Sequence, residues 1–181
     1  MTRLLRLSLV LAAVAVCSAP VWAQKDKSKR PSPPGSAECQ FANGKTVHID
    51  YSRPFMKGRK IYGGLVPYDK VWRTGANEAT TFVAGTSVDV GGTRVAAGNY
   101  TLFTIPSHKE WTLIISKKTG EWGIPYPGKS EDLARIPIRS EELSTPVEQF
   151  TISFERTAPE ACTLRMDWET TRAEVNVREQ K

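Results

Sequence analysis

Apolar residues recur at every second position through most of this chain, in short runs that Gly, Pro or Asn soon interrupt. Residues 45–51 put Val47, Ile49 and Tyr51 on one face and His48 and Asp50 on the other. Further strand-like runs follow at 80–84, 87–90, 94–97, 100–105 and 111–116, with Gly91-Gly92, Gly98-Asn99 and Pro106 between them. The last are at 134–139, 147–154, 162–168 and 173–177. This is the period of a half-buried strand, not of an amphipathic helix. Residues 131–134 and 140–144 have room for one helical turn each. Many short strands between Gly/Pro-rich turns predict an all-β domain. The expected architecture is a single β-sandwich of about nine or ten short strands, with jelly-roll-like and Ig-like strand orders both open.

The ends of the chain set its boundaries. Arg3 and Arg6 precede an apolar run over residues 7–16, and Val21-Trp22-Ala23 supplies a Val-x-Ala cleavage site before Gln24. Residues 1–23 therefore read as a signal peptide, too short in its apolar part to span a bilayer. Its removal takes two arginines and no acid, so the formal net charge falls from +6 to +4 over 158 residues. That length suits one domain and buries an ordinary core. Residues 24–38, rich in Lys, Pro and Ser, read as a disordered basic linker, and residues 39–178 as the β-sandwich domain. With Cys17 inside the leader, Cys39 and Cys162 remain. An even pair in an exported chain predicts a disulfide. The expected location is periplasmic or extracellular, with no transmembrane segment in the mature chain.

Residues 53–80 break the pattern. They follow neither the strand period nor the helix period, and are rich in cations, aromatics and glycines. A segment of this kind is expected to be one long structured loop, where sites tend to sit. Arg53, Lys57, Arg59 and Lys60 fall within eight residues, interleaved with Phe55 and Tyr62. Guanidinium groups grip carboxylate or phosphate in a fork, while lysine acts as a point charge. Downstream, Trp72, Arg73, Asn77 and Glu78 surround Gly75. A tryptophan floor with amide and charged neighbours suits a small polar ligand or a sugar. The candidate ligand-binding residues are Arg53, Lys57, Arg59, Tyr62, Trp72, Arg73, Asn77 and Glu78. Against this stands a plainer role, in which Arg73 satisfies loop carbonyls and pins the loop to the sandwich.

Catalytic templates are sparse. There is no Gly-x-Ser-x-Gly elbow, no phosphate-cradling P-loop and no His-Glu-x-x-His. His48 and His108 lack metal-ligand spacing, so neither a metal nor a cofactor is expected. Asp50, Asp69, Glu78 and Asp89 lie near the loop, but no spacing among them selects a hydrolytic pair. Nucleic acid fits poorly with a modest +4 charge and no helix to enter a groove.

The run of motifs resembles a known family. Tyr51-Ser52-Arg53-Pro54, Lys57-Gly58-Arg59-Lys60-Ile61, Leu65-Val66-Pro67-Tyr68 and Val71-Trp72-Arg73-Thr74-Gly75-Ala76-Asn77-Glu78 come first. The segment from Ala97 to Pro106, then Trp111 and Glu121-Trp122-Gly123, complete it. The chain is similar to the bacterial exported-protein family catalogued as domain of unknown function 2911, over most of residues 39–177. The resemblance implies an exported, single-domain β protein and carries no activity with it.

Three functions follow as expectations. The first is a non-enzymatic binding module of the envelope, taking an anionic small molecule or envelope glycan through residues 53–80. The second is a hydrolase of a sugar or ester, with Glu78 or Asp50 as the acid-base group and Arg73 holding substrate. The third is a purely structural envelope protein whose loop is a packed plug.

Overall fold

The computed structural model describes residues 26–180. The expected leader, residues 1–23, lies outside them. Nine strands are present among the described residues: β1 (Pro34–Gln40), β2 (Thr46–Ser52), β3 (Thr80–Ala84), β4 (Val88–Val90), β5 (Thr93–Val95), β6 (Gly98–Ile105), β7 (Trp111–Ser116), β8 (Asp132–Ala158) and β9 (Ala161–Glu179). They form one antiparallel sheet in the order β1-β2-β3-β6-β7-β8-β9-β4-β5. The all-β expectation holds.

The sheet folds over on itself at β8. Residues 132–138 of this strand pair with β7, and residues 139–158 pair with β9. Register slips between Glu142 and Val147 and between Val147 and Thr151 let so long a strand bend, as extra residues do in β-bulges. The result is sandwich-like, open at β1 and β5 rather than closed into a barrel. The two layers meet over a core in which Val47, Ile49, Leu102, Leu113 and Ile115 face Phe150, Leu164, Met166 and Trp168, all buried. Two specific ties cross it. Tyr51 on β2 donates its phenol proton to the Ile152 carbonyl of β8 at 3.3 Å and accepts from the Ile152 N–H at 2.8 Å. Cys39 on β1 is disulfide-bonded to Cys162 on β9, 123 residues later.

Four expectations are corrected here. Residues 140–144, read as a possible turn, belong to β8, and the four segments expected between 134 and 177 are two long strands. The 131–134 turn is instead a 3₁₀ turn at Lys129–Glu131. The basic linker is not a free tether over its described length. Pro34–Gln40 pairs in register with β2, and Lys27–Lys29 form a 3₁₀ turn. Backbone pairing and buried Cys39 supply the ordering that its composition does not.

No helix of the described residues is long and apolar enough to cross a membrane.

Candidate functional site

Residues 53–79 close one end of the sandwich and are stapled to both layers. On the β8 side, Met56 N–H reaches the Glu148 carbonyl and Phe150 N–H reaches the Pro54 carbonyl, at 2.8 and 2.9 Å. On the other side, Trp72 and Thr104 of β6 exchange two backbone hydrogen bonds at 2.8 and 2.9 Å. The loop also feeds the core, with Ile61, Tyr62 and Val66 all buried. Its backbone is held in uncommon territory. Lys57, Asp69, Thr74 and Asn77 have φ between 49° and 58°, the left-handed region that costs a side-chain-bearing residue energy. Thr74 is β-branched and fully buried, and its hydroxyl meets Thr104 Oγ1 at 3.1 Å while its carbonyl accepts from Thr80. Tertiary contacts therefore hold the loop in one shape.

The eight candidate residues do not converge. Arg59, Trp72 and Arg73 line one cleft of ≈310 Å³, together with Leu65, Val66, Ile124 and Trp168. Glu78 lines a different cavity, of ≈400 Å³, with Asp50, Glu121, Lys27 and Arg30. Tyr62 is buried beneath a third. Arg53 is consumed structurally: Nε and Nη2 donate to the Phe150 carbonyl and Thr151 Oγ1, and its stem packs over Gly35. Lys57 is exposed and engages Glu148 through its backbone N–H. Asn77 donates to the Ser32 carbonyl and Ser52 Oγ, fixing the N-terminal segment against the loop.

The arginine cleft has an apolar floor and cationic walls. Trp72 stacks on Trp168 with centroids 5.8 Å apart and 19° between planes, and Phe150 meets both rings. Trp72 Nε1 donates to the Gly75 carbonyl, which sets the indole's orientation. Arg59 donates to the Met56 and Phe55 carbonyls at 2.9 and 2.6 Å. Arg73 spends Nη1 on the Asn77 and Trp122 carbonyls at 2.6 and 3.0 Å and lies 6.0 Å from the Trp122 ring. Its Nε and Nη2 make no hydrogen bond to any described residue. Partial burial pulls the Arg73 guanidinium below its ordinary pKa. Neither arginine, nor Lys57 or Lys60, forms an ion pair among the described residues. Among the described residues, Leu65, Trp122 and Ile124 are three of the four large apolar side chains left exposed, at 47%, 53% and 66%. Leu65 and Ile124 line this cleft, and Trp122 lies beside its Arg73. Sequence reasoning missed Leu65, Ile124 and Trp168 as cleft residues. The first two are apolar at loop positions without a strand period, the one signal available in advance.

The Glu78 cavity is electrostatically self-contained. Arg30 grips both Glu78 carboxylate oxygens at 3.0 and 2.7 Å, and Lys27 adds a contact at 3.2 Å. Burial pushes the carboxyl up, but Arg30, a backbone N–H and Lys27 outweigh it and bring it from 4.5 to about 2. Asp50 is paired with His48 at 3.1 Å. The sign of the linkage follows from the lowered value. Pairing stabilises the fold fully above the unfolded carboxyl's pKa, and that contribution fades as pH falls from about 4.5 through 2. Because Glu78 is 40% exposed, solvent screening limits the contribution to about 1 kcal/mol. Glu78→Gln is therefore expected to be less stable than the parent by that amount in urea melts at pH 7, with the gap shrinking toward pH 2. A gap that stays constant over this range would refute the ion-pair account.

Among the described residues, no three His, Cys, Asp or Glu side chains are gathered as a metal-ligand set. No curated protein and no solved structure matches the chain. One family model does match, over residues 32–177, and it covers the loop, the arginine cleft and both layers of the sheet. The chain thus belongs to the family described as Protein of unknown function (DUF2911).

Proposed function

We propose that this protein is an exported binding module that captures a small organic anion in the cleft between Arg59 and Arg73. The observation that carries the reading is the pairing of uncompensated guanidinium groups with exposed apolar side chains around one concavity. A carboxylate or phosphate of the ligand accepts from Arg73 Nε and Nη2 in a fork, and Arg59 adds a second charge. The ligand's apolar or ring portion lies against Leu65, Ile124 and the Trp72 edge, as in most small-molecule sites. A preshaped loop reduces the ordering cost of binding. The disulfide and the leader-like N-terminus support export.

A direct test is calorimetric titration of the protein with aryl and short-chain acyl carboxylates and phosphates, at low and high salt. Saturable binding that weakens with salt and drops at least about tenfold in Arg73→Ala is the expected result. That variant also loses two charge-assisted hydrogen bonds to carbonyls, worth about 2 kcal/mol of stability. Loss of stability with no anion bound by the parent would establish the loop as a packed plug instead.

The hydrolytic alternative has one point in its favour, that Asp50 and Glu78 share a cavity. Arg73 faces the other cleft, and a carboxyl held at about 2 has no proton to donate near neutrality. Turnover of chromogenic esters or glycosides that disappears in Glu78→Gln would restore it.

A further inference from the structure

The exposed apolar side chains of this protein gather at one end of the sandwich. Leu65 and Ile124 line the same cleft as Arg59, and the Trp122 ring lies 6.0 Å from the Arg73 guanidinium carbon. Backbone contacts hold all three outward. Gly123 has a φ of 85°, and a Cβ there would come within 2.8 Å of Arg73 Cβ and 3.0 Å of Ala79 Cβ. The chain is therefore pressed inward at Gly123, with Trp122 and Ile124 left outside. The Ala79 N–H, donating to the Glu121 carbonyl at 3.0 Å, fixes the same segment. Leu65 sits on a tight turn. There the N–H groups of Gly63, Gly64 and Leu65 donate to the Val66, Ile61 and Lys60 carbonyls at 2.9, 3.1 and 3.1 Å. Lys57, Arg59 and Lys60 precede this turn, all exposed and without an ion-pair partner among the described residues. The acids that touch the loop face its backbone: Glu148 accepts from the Lys57 N–H, and Glu169 from those of Ile61 and Tyr62.

We propose that Leu65, Trp122 and Ile124, with Lys57, Arg59 and Lys60 beside them, form a docking surface for an anionic lipid bilayer. Charge complementarity and composition select this occupant. Protein–protein interfaces are depleted in lysine. Lysine and arginine beside tryptophan and aliphatic tips are the mixture that settles at the headgroup boundary, where the tips enter the acyl edge and the cations meet phosphates. A bilayer also admits only backbone whose polar groups are already paired, which the turn at Gly63–Leu65 satisfies for its N–H groups. No helix of the described residues could cross the membrane, so the protein rests on it through this end. The surface rims the anion cleft and does not depend on capture of a soluble anion there.

Flotation of the mature, disulfide-bonded protein with mixed phosphatidylglycerol–phosphatidylcholine vesicles tests the proposal. Binding to these vesicles is expected, with release by high salt and little binding to pure phosphatidylcholine. Trp122 is the one exposed tryptophan among the described residues, so docking should shift the emission to the blue, and Trp122→Phe should remove that shift. Leu65→Ser with Ile124→Ser, and separately Lys57→Glu with Lys60→Glu, should each weaken vesicle binding at least about tenfold while leaving Tm near the parent value. No binding to the mixed vesicles overturns the proposal. Binding that both double variants retain also overturns it, since the basic N-terminal segment would then carry the attraction. A concentration-dependent dimer in sedimentation that Ile124→Ser abolishes would assign the surface to a second copy of this chain, and overturn it as well.

Discussion

Replacing both cysteines, Cys39→Ser with Cys162→Ser, is expected to destabilise the protein by about 4–5 kcal/mol and lower its Tm by about 10–15 °C. The reasoning starts from β1, an edge strand hydrogen-bonded to β2 alone. Its tie to β9 in the facing layer is the disulfide, which closes a loop spanning 123 positions. Cross-linking so long a loop removes much of the unfolded chain's freedom. The same loss should appear when the parent protein is melted in reductant. A loss below about 1 kcal/mol would show that the apolar core alone seats β1.

Trp168→Ala is expected to cost about 3–5 kcal/mol and to abolish anion binding in the arginine cleft. Trp168 is 1% exposed, stacks on Trp72 and contacts Tyr62 and Phe150, and its Nε1 donates to the Glu148 carbonyl at 3.3 Å. Truncation leaves a void at the junction of both layers and removes the support beneath the Trp72 indole. Trp168→Phe keeps part of the ring and should cost roughly half as much. Urea melts of both variants, with anion titrations of the folded fraction, separate packing from binding. Wild-type affinity in Trp168→Ala would mean that Trp72 needs no support to form the floor.

The strands were legible where apolar residues keep to one face. Val47, Ile49 and Tyr51 declare β2, and Cys162, Leu164, Met166 and Trp168 declare the start of β9. β1 was hidden because its sequence, PGSAECQ, is that of a linker. Its order comes from register with β2 and from Cys39, and Pro34 is tolerated as the first residue of an edge strand. The join between 139 and 147 was hidden for another reason. Residues 140–146 are polar apart from Leu143 and Pro146 and mostly exposed, so the pairing of Ser140, Glu141 and Glu142 with β9 leaves almost no hydrophobic trace.

The site was legible as a region and not as a geometry. Arg53 and Arg73 are alike in sequence, each beside an aromatic or proline-rich stretch. One is spent on Phe150 and Thr151, and the other keeps donors turned to a cleft. Only the fold distinguishes them, because apart from Asn77 their side-chain partners lie between 49 and 98 residues away along the chain. Ile124 reaches the cleft from a separate loop, which no local pattern announces. Glu78 was grouped with Arg73 by proximity in sequence, yet its partners come from residues 27–30, on the far side of Asn77.

The order of the strands also fixes when this chain can fold. β4 pairs not with its predecessor but with the end of β9, at Val177 to Glu179, and β1 is fastened to residue 162. Neither edge of the sheet can be finished until the last quarter of the polypeptide is present. So high a contact order predicts folding on the millisecond-to-second scale, slow for a domain of this size. A chain emerging end-first from a membrane would therefore stay unfolded through most of its passage, with its cysteines apart until the end.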